Sequence, residues 1–149
     1  MPRIPSSLAI GLVALLATTV CAVPVPDILQ LHMDEPLWDG TAGEVVDTSG
    51  MAHHGTAVGD ATTTLGGYFR RAGTFDRTTP YDYVTCGNAL SLIPDSQISV
   101  EAWVRPASIS TWSFPGCIVG RSGCYYLEVA PDKRIRSYQY FTSGTSGWL

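Results

Sequence analysis

The stretch QISVEAWVRP, residues 97–106, carries the clearest strand signal in the chain. Ile98, Val100, Ala102 and Val104 share one face, while Ser99, Glu101, Trp103 and Arg105 share the other. Pro106 cannot donate to a ladder and ends the run. Trp103 on the polar side implies that this face too is covered, by a second layer or by loops. The same period of two recurs outward from this stretch. Leu29, Leu31 and Met33 alternate with Gln30, His32 and Asp34. Glu44 to Asp47 and Gly55 to Val58 read as short strands, with a Thr/Gly loop over Gly59 to Gly67. Phe69 to Asp76 and Tyr81 to Cys86 read as a strand pair around a turn at Thr79-Pro80. Tyr125 to Val129 is a strand that Pro131-Asp132-Lys133 turns into a further one, Arg134 to Phe141. Ser143 to Gly147 is a loop before Trp148-Leu149. No window gives a helix. Short strands joined by turns, in a chain with 15 Gly and 10 Pro, predict an all-β antiparallel sandwich of the jelly-roll kind. At 149 residues this is one domain.

The segment before it has another purpose. MPRIPSSLAIGLVALLATTVCAVPVP opens with Arg3, runs through an apolar core from Leu8 to Val20, and reaches Val20-Cys21-Ala22. This predicts a signal peptide over residues 1–22, then a linker over 23–28, then the domain over 29–149. The apolar core is short of the roughly 20 residues that cross a membrane, and Pro24 and Pro26 break any helix, so no membrane span is expected. Lipid attachment at Cys21 is disfavoured by the bulk of Val20. The expected location is secreted, extracellular or at the cell surface. The net charge of −4 becomes more negative once Arg3 leaves, and Lys133 is the only lysine. That excludes the basic patch a nucleic-acid partner requires.

Export places Cys86, Cys117 and Cys124 in an oxidising compartment. If Gly120-Arg121 forms a two-residue turn, Cys117 faces Cys124 across a hairpin, within disulfide range. A Cys117–Cys124 bridge is therefore expected. Three pairings are open, and so is the alternative of three buried thiols. No CxxC spacing suggests zinc.

Six segments, taken in order, resemble the laminin-G-like, concanavalin A-like lectin/glucanase superfamily. They are LQLHMDE at 29–35, VVDTSGMAHHGTAVG at 45–59, RAGTFD at 71–76, YDYVTCG at 81–87, ISVEAWVRP at 98–106 and YYLEV at 125–129. The resemblance covers residues 29–149. It departs at Met51-Ala52-His53, where the family has an Asn-rich turn, and at Asp76-Arg77, where the family has Asp-Gly. It also implies further strands after Trp148. On that reading the jelly roll is incomplete at its C-terminus, with inner strands left as edges.

The family includes glucanases, whose chemistry needs two carboxyl groups facing one sugar. Alternate acidic residues on one strand would supply them, but Glu101 is followed two places on by Trp103, and Glu128 by Ala130. No GxSxG nucleophile motif occurs. The expectation is a module without catalytic residues. Ca2+ is the cofactor to weigh: Asp47 precedes a Ser49-Gly50 turn, and Asp76 and Asp82 bracket a second acidic loop. The competing role for Asp47 is an Asx-turn. His53-His54 reads as a solvated loop pair more readily than as a ligand pair. For sugar stacking, Trp112 between Thr111 and Ser113 is one expectation, against a Trp folded onto the sheet. Tyr138 and Tyr140, on one strand face, form a second platform, against simple packing. The function expected is a secreted recognition module binding carbohydrate or an extracellular protein. The alternative is an accessory scaffold within a larger secreted enzyme or adhesin.

Overall fold

The computed structural model describes residues 27–76, 81–95, 97–107, 115–140 and 146–148. The all-β character holds: eight short strands and a single 3₁₀ turn at Leu90–Leu92 form the regular structure among these residues. The strands are β1 (Thr56–Val58), β2 (Thr62–Leu65), β3 (Arg71–Thr74), β4 (Tyr83–Thr85), β5 (Gly116–Arg121), β6 (Tyr125–Val129), β7 (Ile135–Tyr140) and β8 (Ser146–Trp148). They assemble into three antiparallel sheets: β1 with β4, β2 with β3, and β5-β6-β7-β8 in sequence order.

The pairing of the first four strands corrects the sequence reading. β3 and β4 do not pair with each other. β3 pairs back onto β2, and β4 pairs with β1 around that hairpin. The expected loop over Gly59 to Gly67 contains β2, because Thr62, Thr63 and Thr64 are β-branched and pair well although they show no apolar alternation. The expected first strand at Leu29 to Met33 reduces to one bridge, Leu31 with Asp47, and Met33 turns to a positive φ of 59° that no strand continues through.

The strongest sequence signal, Gln97 to Arg105, forms no ladder. Its alternation is genuine, but a strand exists only where a partner accepts its backbone, and none does so among the described residues. Ile98 and Val100 instead border a cavity of about 190 Å³ against Tyr125, Leu127, Ser137 and Gln139. The start of the segment thus lies against one face of the four-stranded sheet. Trp103, expected to be covered, is 71% exposed; it stacks on Tyr68 and meets Phe69 edge-on.

The small sheets enclose a core of Trp38, Val45, Ala57 and Ala61, with Leu31, Met33 and Val84 packed against it. Val45 and Gly55 exchange both backbone hydrogen bonds, at 3.0 and 2.8 Å. Val84 Cγ1 occupies the place where a Gly55 side chain would stand, so only glycine permits this approach. Much of this half is irregular, and its backbone N–H groups are satisfied by carboxylates instead of ladders. Glu44 accepts from Asp39, Gly40 and Ala57; Glu35 accepts from Val46 and from the Trp38 indole; Asp34 accepts from Arg71. The acidic excess of the composition is here part of the framework. Arg121 ties β5 to the other half by donating to the carbonyls of Asn88 and Ala89.

Candidate functional site

One face of the four-stranded sheet has Ile98 and Val100 against it, and the other is open. Register decides which side chains stand on the open face. In β7, Arg136, Tyr138 and Tyr140 alternate with Ile135, Ser137 and Gln139. Arg136 lies opposite Glu128, and Tyr138 lies opposite Tyr126. In β5, Cys117 lies opposite Glu128 and Gly120 opposite Tyr126. A bulge between Cys117 and Val119 shifts the register, which is why two residues three apart reach the same face.

These positions build a groove of about 590 Å³ lined by Gly123, Tyr126, Glu128, Tyr138 and Tyr140. The rings of Tyr138 and Tyr140 meet edge to face, with centroids 4.5 Å apart and planes at 77°. A hydrogen bond with Tyr138 is the main cause that pushes the Tyr140 phenol above its ordinary pKa, so the Tyr140 hydroxyl is neutral near pH 7. On the neighbouring strand, Tyr126 Cδ1 lies 2.5 Å from where a Gly120 Cβ would be. The ring lies over the glycine. The expected Tyr138–Tyr140 platform is thus brought together, and Tyr126 and Glu128 join it from β6. Tyr126 is the residue that the sequence reading missed. The Pro131-Asp132-Lys133 turn was visible, and counting across it to the register would have placed Tyr126 opposite Tyr138.

Cys117 borders this site without the expected bridge. Cys86, Cys117 and Cys124 are all free thiols. The turn falls two residues later than Gly120-Arg121, on Ser122-Gly123: Cys124 N donates to Arg121 O at 3.0 Å, and Gly123 takes the positive φ of 73° that the turn requires. Cys124 therefore sits in the turn while Cys117 faces Glu128. Although Cys117 as a residue is exposed, its Sγ lies 3.2 Å from where a Gly120 Cβ would stand, on the side that Tyr126 covers. Burial of that sulfur, then the Glu128 charge, pushes its thiol pKa up. Burial and then the Asp47 charge do the same for Cys86. Neither thiol is tuned as a nucleophile.

Of the three carboxylates expected at a calcium site, Asp47 and Asp82 accept hydrogen bonds from the chain itself. Asp47, 5% exposed, accepts backbone N–H from Gln30 and Ser49 on Oδ1, and from His53 together with the Ser49 hydroxyl on Oδ2, all at 2.8–3.0 Å. Burial raises its pKa, but these donors together outweigh burial and hold it well below the usual carboxylate range. This is the Asx-turn arrangement extended to two distant strands of chain. Asp82 accepts from the backbone of Asp60 at 2.7 Å and of Asp76 at 2.9 Å, which brings Asp76 and Asp82 together. No group of three or more His, Cys, Asp or Glu is placed to hold a metal ion among the described residues. His54 Nδ1 accepts the Asp47 N–H and His53 Nε2 is 2.8 Å from Ser91 Oγ, so the histidine pair supports the same loop. Trp112 lies outside the described residues.

A second aromatic group, unforeseen in the sequence, sits on the loop between β2 and β3. Tyr68 stacks on Trp103 with centroids 4.0 Å apart and planes within 4°, and Phe69 meets both edge-on. The cluster is largely exposed.

The chain matches no protein-family model, no curated protein and no solved structure.

Proposed function

We propose that this chain is an exported, non-catalytic recognition module of the concanavalin A-like jelly-roll type, which binds carbohydrate across its open sheet face. The observation that carries the reading is the groove in which Tyr126, Tyr138 and Tyr140 stand together on adjacent strands. Flat phenol rings on a rigid sheet suit the apolar face of a pyranose, and their hydroxyls suit its polar rim. The 1–22 segment supports export. Absence of catalysis is supported by the groove's chemistry: Glu128 is its single carboxylate, whereas glycoside cleavage uses two about 5–9.5 Å apart.

A glycan array probed with the full chain tests the reading, followed by affinity electrophoresis on the glycans retained. Retention that is lost in Tyr138→Ala and Tyr126→Ala is the expected result. An array that retains no glycan removes carbohydrate recognition.

The exposed Tyr68, Phe69 and Trp103 cluster favours a second reading, an accessory domain of a larger secreted enzyme or adhesin that packs on a neighbouring part through these rings.

A further inference from the structure

We infer that the glycan taken by the tyrosine groove is cationic: a chain of amino sugars whose unacetylated ammonium groups pair with Glu128. The inference rests on the carbohydrate reading and adds the class of sugar.

It begins with what seven of the other carboxylates do. Asp34, Glu35, Asp39, Glu44, Asp47 and Asp82 each accept at least one backbone N–H. Asp132 accepts from the Arg134 backbone and from the Arg136 guanidinium. Glu128 differs from all of these. It is half-buried in the middle of a strand, it borders the groove, and it accepts from no hydrogen-bond donor or ion-pair partner among the described residues. A carboxylate drawn partly out of water without a partner carries a desolvation penalty, and a ligand that supplies a cation recovers it.

The protein's own cations are turned elsewhere. Arg136 stands directly opposite Glu128, yet its Nη2 is 3.0 Å from Asp132 Oδ2, and Arg134 approaches the same oxygen. No arginine or lysine lines the groove. The groups facing Glu128 are Cys117 from β5, Arg136 from β7, and the tyrosines beside it. The Cys117 thiol is held neutral by burial and by Glu128 itself. The groove therefore presents one negative charge, on a chain whose net charge is also negative. Uronic-acid and sulfated glycans are repelled.

The rings select in the same direction. Tyrosine faces attract cations through their quadrupole, and stack on the apolar face of a sugar. An amino sugar with a free ammonium group satisfies both, while its N-acetyl counterpart keeps the stacking and loses the charge.

The test is calorimetric titration of the full chain with three hexasaccharides: glucosamine, N-acetylglucosamine and galacturonic acid. The pH is set where the glucosamine amines are protonated. The expected order is glucosamine tightest, by about fivefold over the acetylated form, with galacturonic acid not bound. Added salt weakens the first and leaves the second unchanged. In Glu128→Gln, near-isosteric with the native side chain, glucosamine and acetylated oligomers bind equally. Equal binding of the two by the native chain overturns the charge inference and leaves carbohydrate recognition standing. A preference that survives Glu128→Gln also overturns it. Failure of all three sugars, with no glycan retained on the array, removes both proposals. Tyr138→Ala, which abolishes binding of both amino and acetylated oligomers on the inference, separates loss of the platform from loss of the charge.

Discussion

The Tyr126 ring on β6 lies over Gly120 on β5, so close that a Cβ at Gly120 would meet its Cδ1 at 2.5 Å. Tyrosine here covers the backbone that the glycine leaves bare, and the glycine lets the ring lie flat against the sheet. Gly120→Ala forces the ring outward. The expected loss is about 1–2 kcal/mol of stability, with weakened binding of any glycan that Tyr126 contacts. Urea unfolding and affinity electrophoresis on the same variant measure the two effects.

Asp47 predicts a larger cost. Asp47→Asn puts an amide donor where Oδ2 now accepts from the His53 N–H and the Ser49 hydroxyl. A buried donor facing a donor costs about 2–3 kcal/mol, read as a shift of the urea midpoint at unchanged slope. Because all four hydrogen bonds to the Asp47 carboxylate, from Gln30, Ser49 (two) and His53, come from the chain itself, a chelator is expected to leave the thermal unfolding curve of the native protein unchanged. A chelator-induced drop in melting temperature would instead assign Asp47 to a bound cation.

The same residue sets an acid limit. Its pKa in the folded chain lies below the ordinary 3.8, so folding favours the ionised form. Its contribution is complete above about pH 4 and is lost as the pH falls through the unfolded value toward the folded one. Stability measured from pH 6 downward is expected to decline below about pH 4, and Asp47→Asn to flatten that part of the decline.

Gly55 tests the core. Its missing side chain leaves room for Val84 Cγ1, with Val45 on the other side. Gly55→Ala is expected to cost about 1–3 kcal/mol, and Gly55→Ala with Val84→Ala to recover part of it. A double variant no better than the single one would show that the strain lies in the backbone.

The thiols give a chemical check. Burial and neighbouring carboxylates raise the pKa of Cys86 and Cys117. Alkylation at pH 8 is therefore expected to label Cys86 and Cys117 slowly, and non-reducing peptide mapping to find no Cys117–Cys124 bridge. A bridged peptide would mean that the β5–β6 register differs from the one with Cys117 opposite Glu128.

What the residues alone determined is what period and turn chemistry decide locally. Tyr125 to Val129 was bounded as a strand to the residue, Pro131-Asp132-Lys133 reversed it into β7, and Tyr138 and Tyr140 were placed on one face. Alternation and a proline-led turn act within a few residues, so they are written in the chain. Partner choice is not. Gln97 to Arg105 alternates better than any strand that formed, yet it pairs with nothing among the described residues, while the unpatterned threonines of β2 found β3. The tertiary structure fixed the register that brings Tyr126 and Glu128 to the Tyr138–Tyr140 platform, and it closed Asp47 onto Gln30 seventeen residues away. Those relations depend on register between strands and on backbone donors left unpaired by irregular chain, and both arise only when distant segments meet.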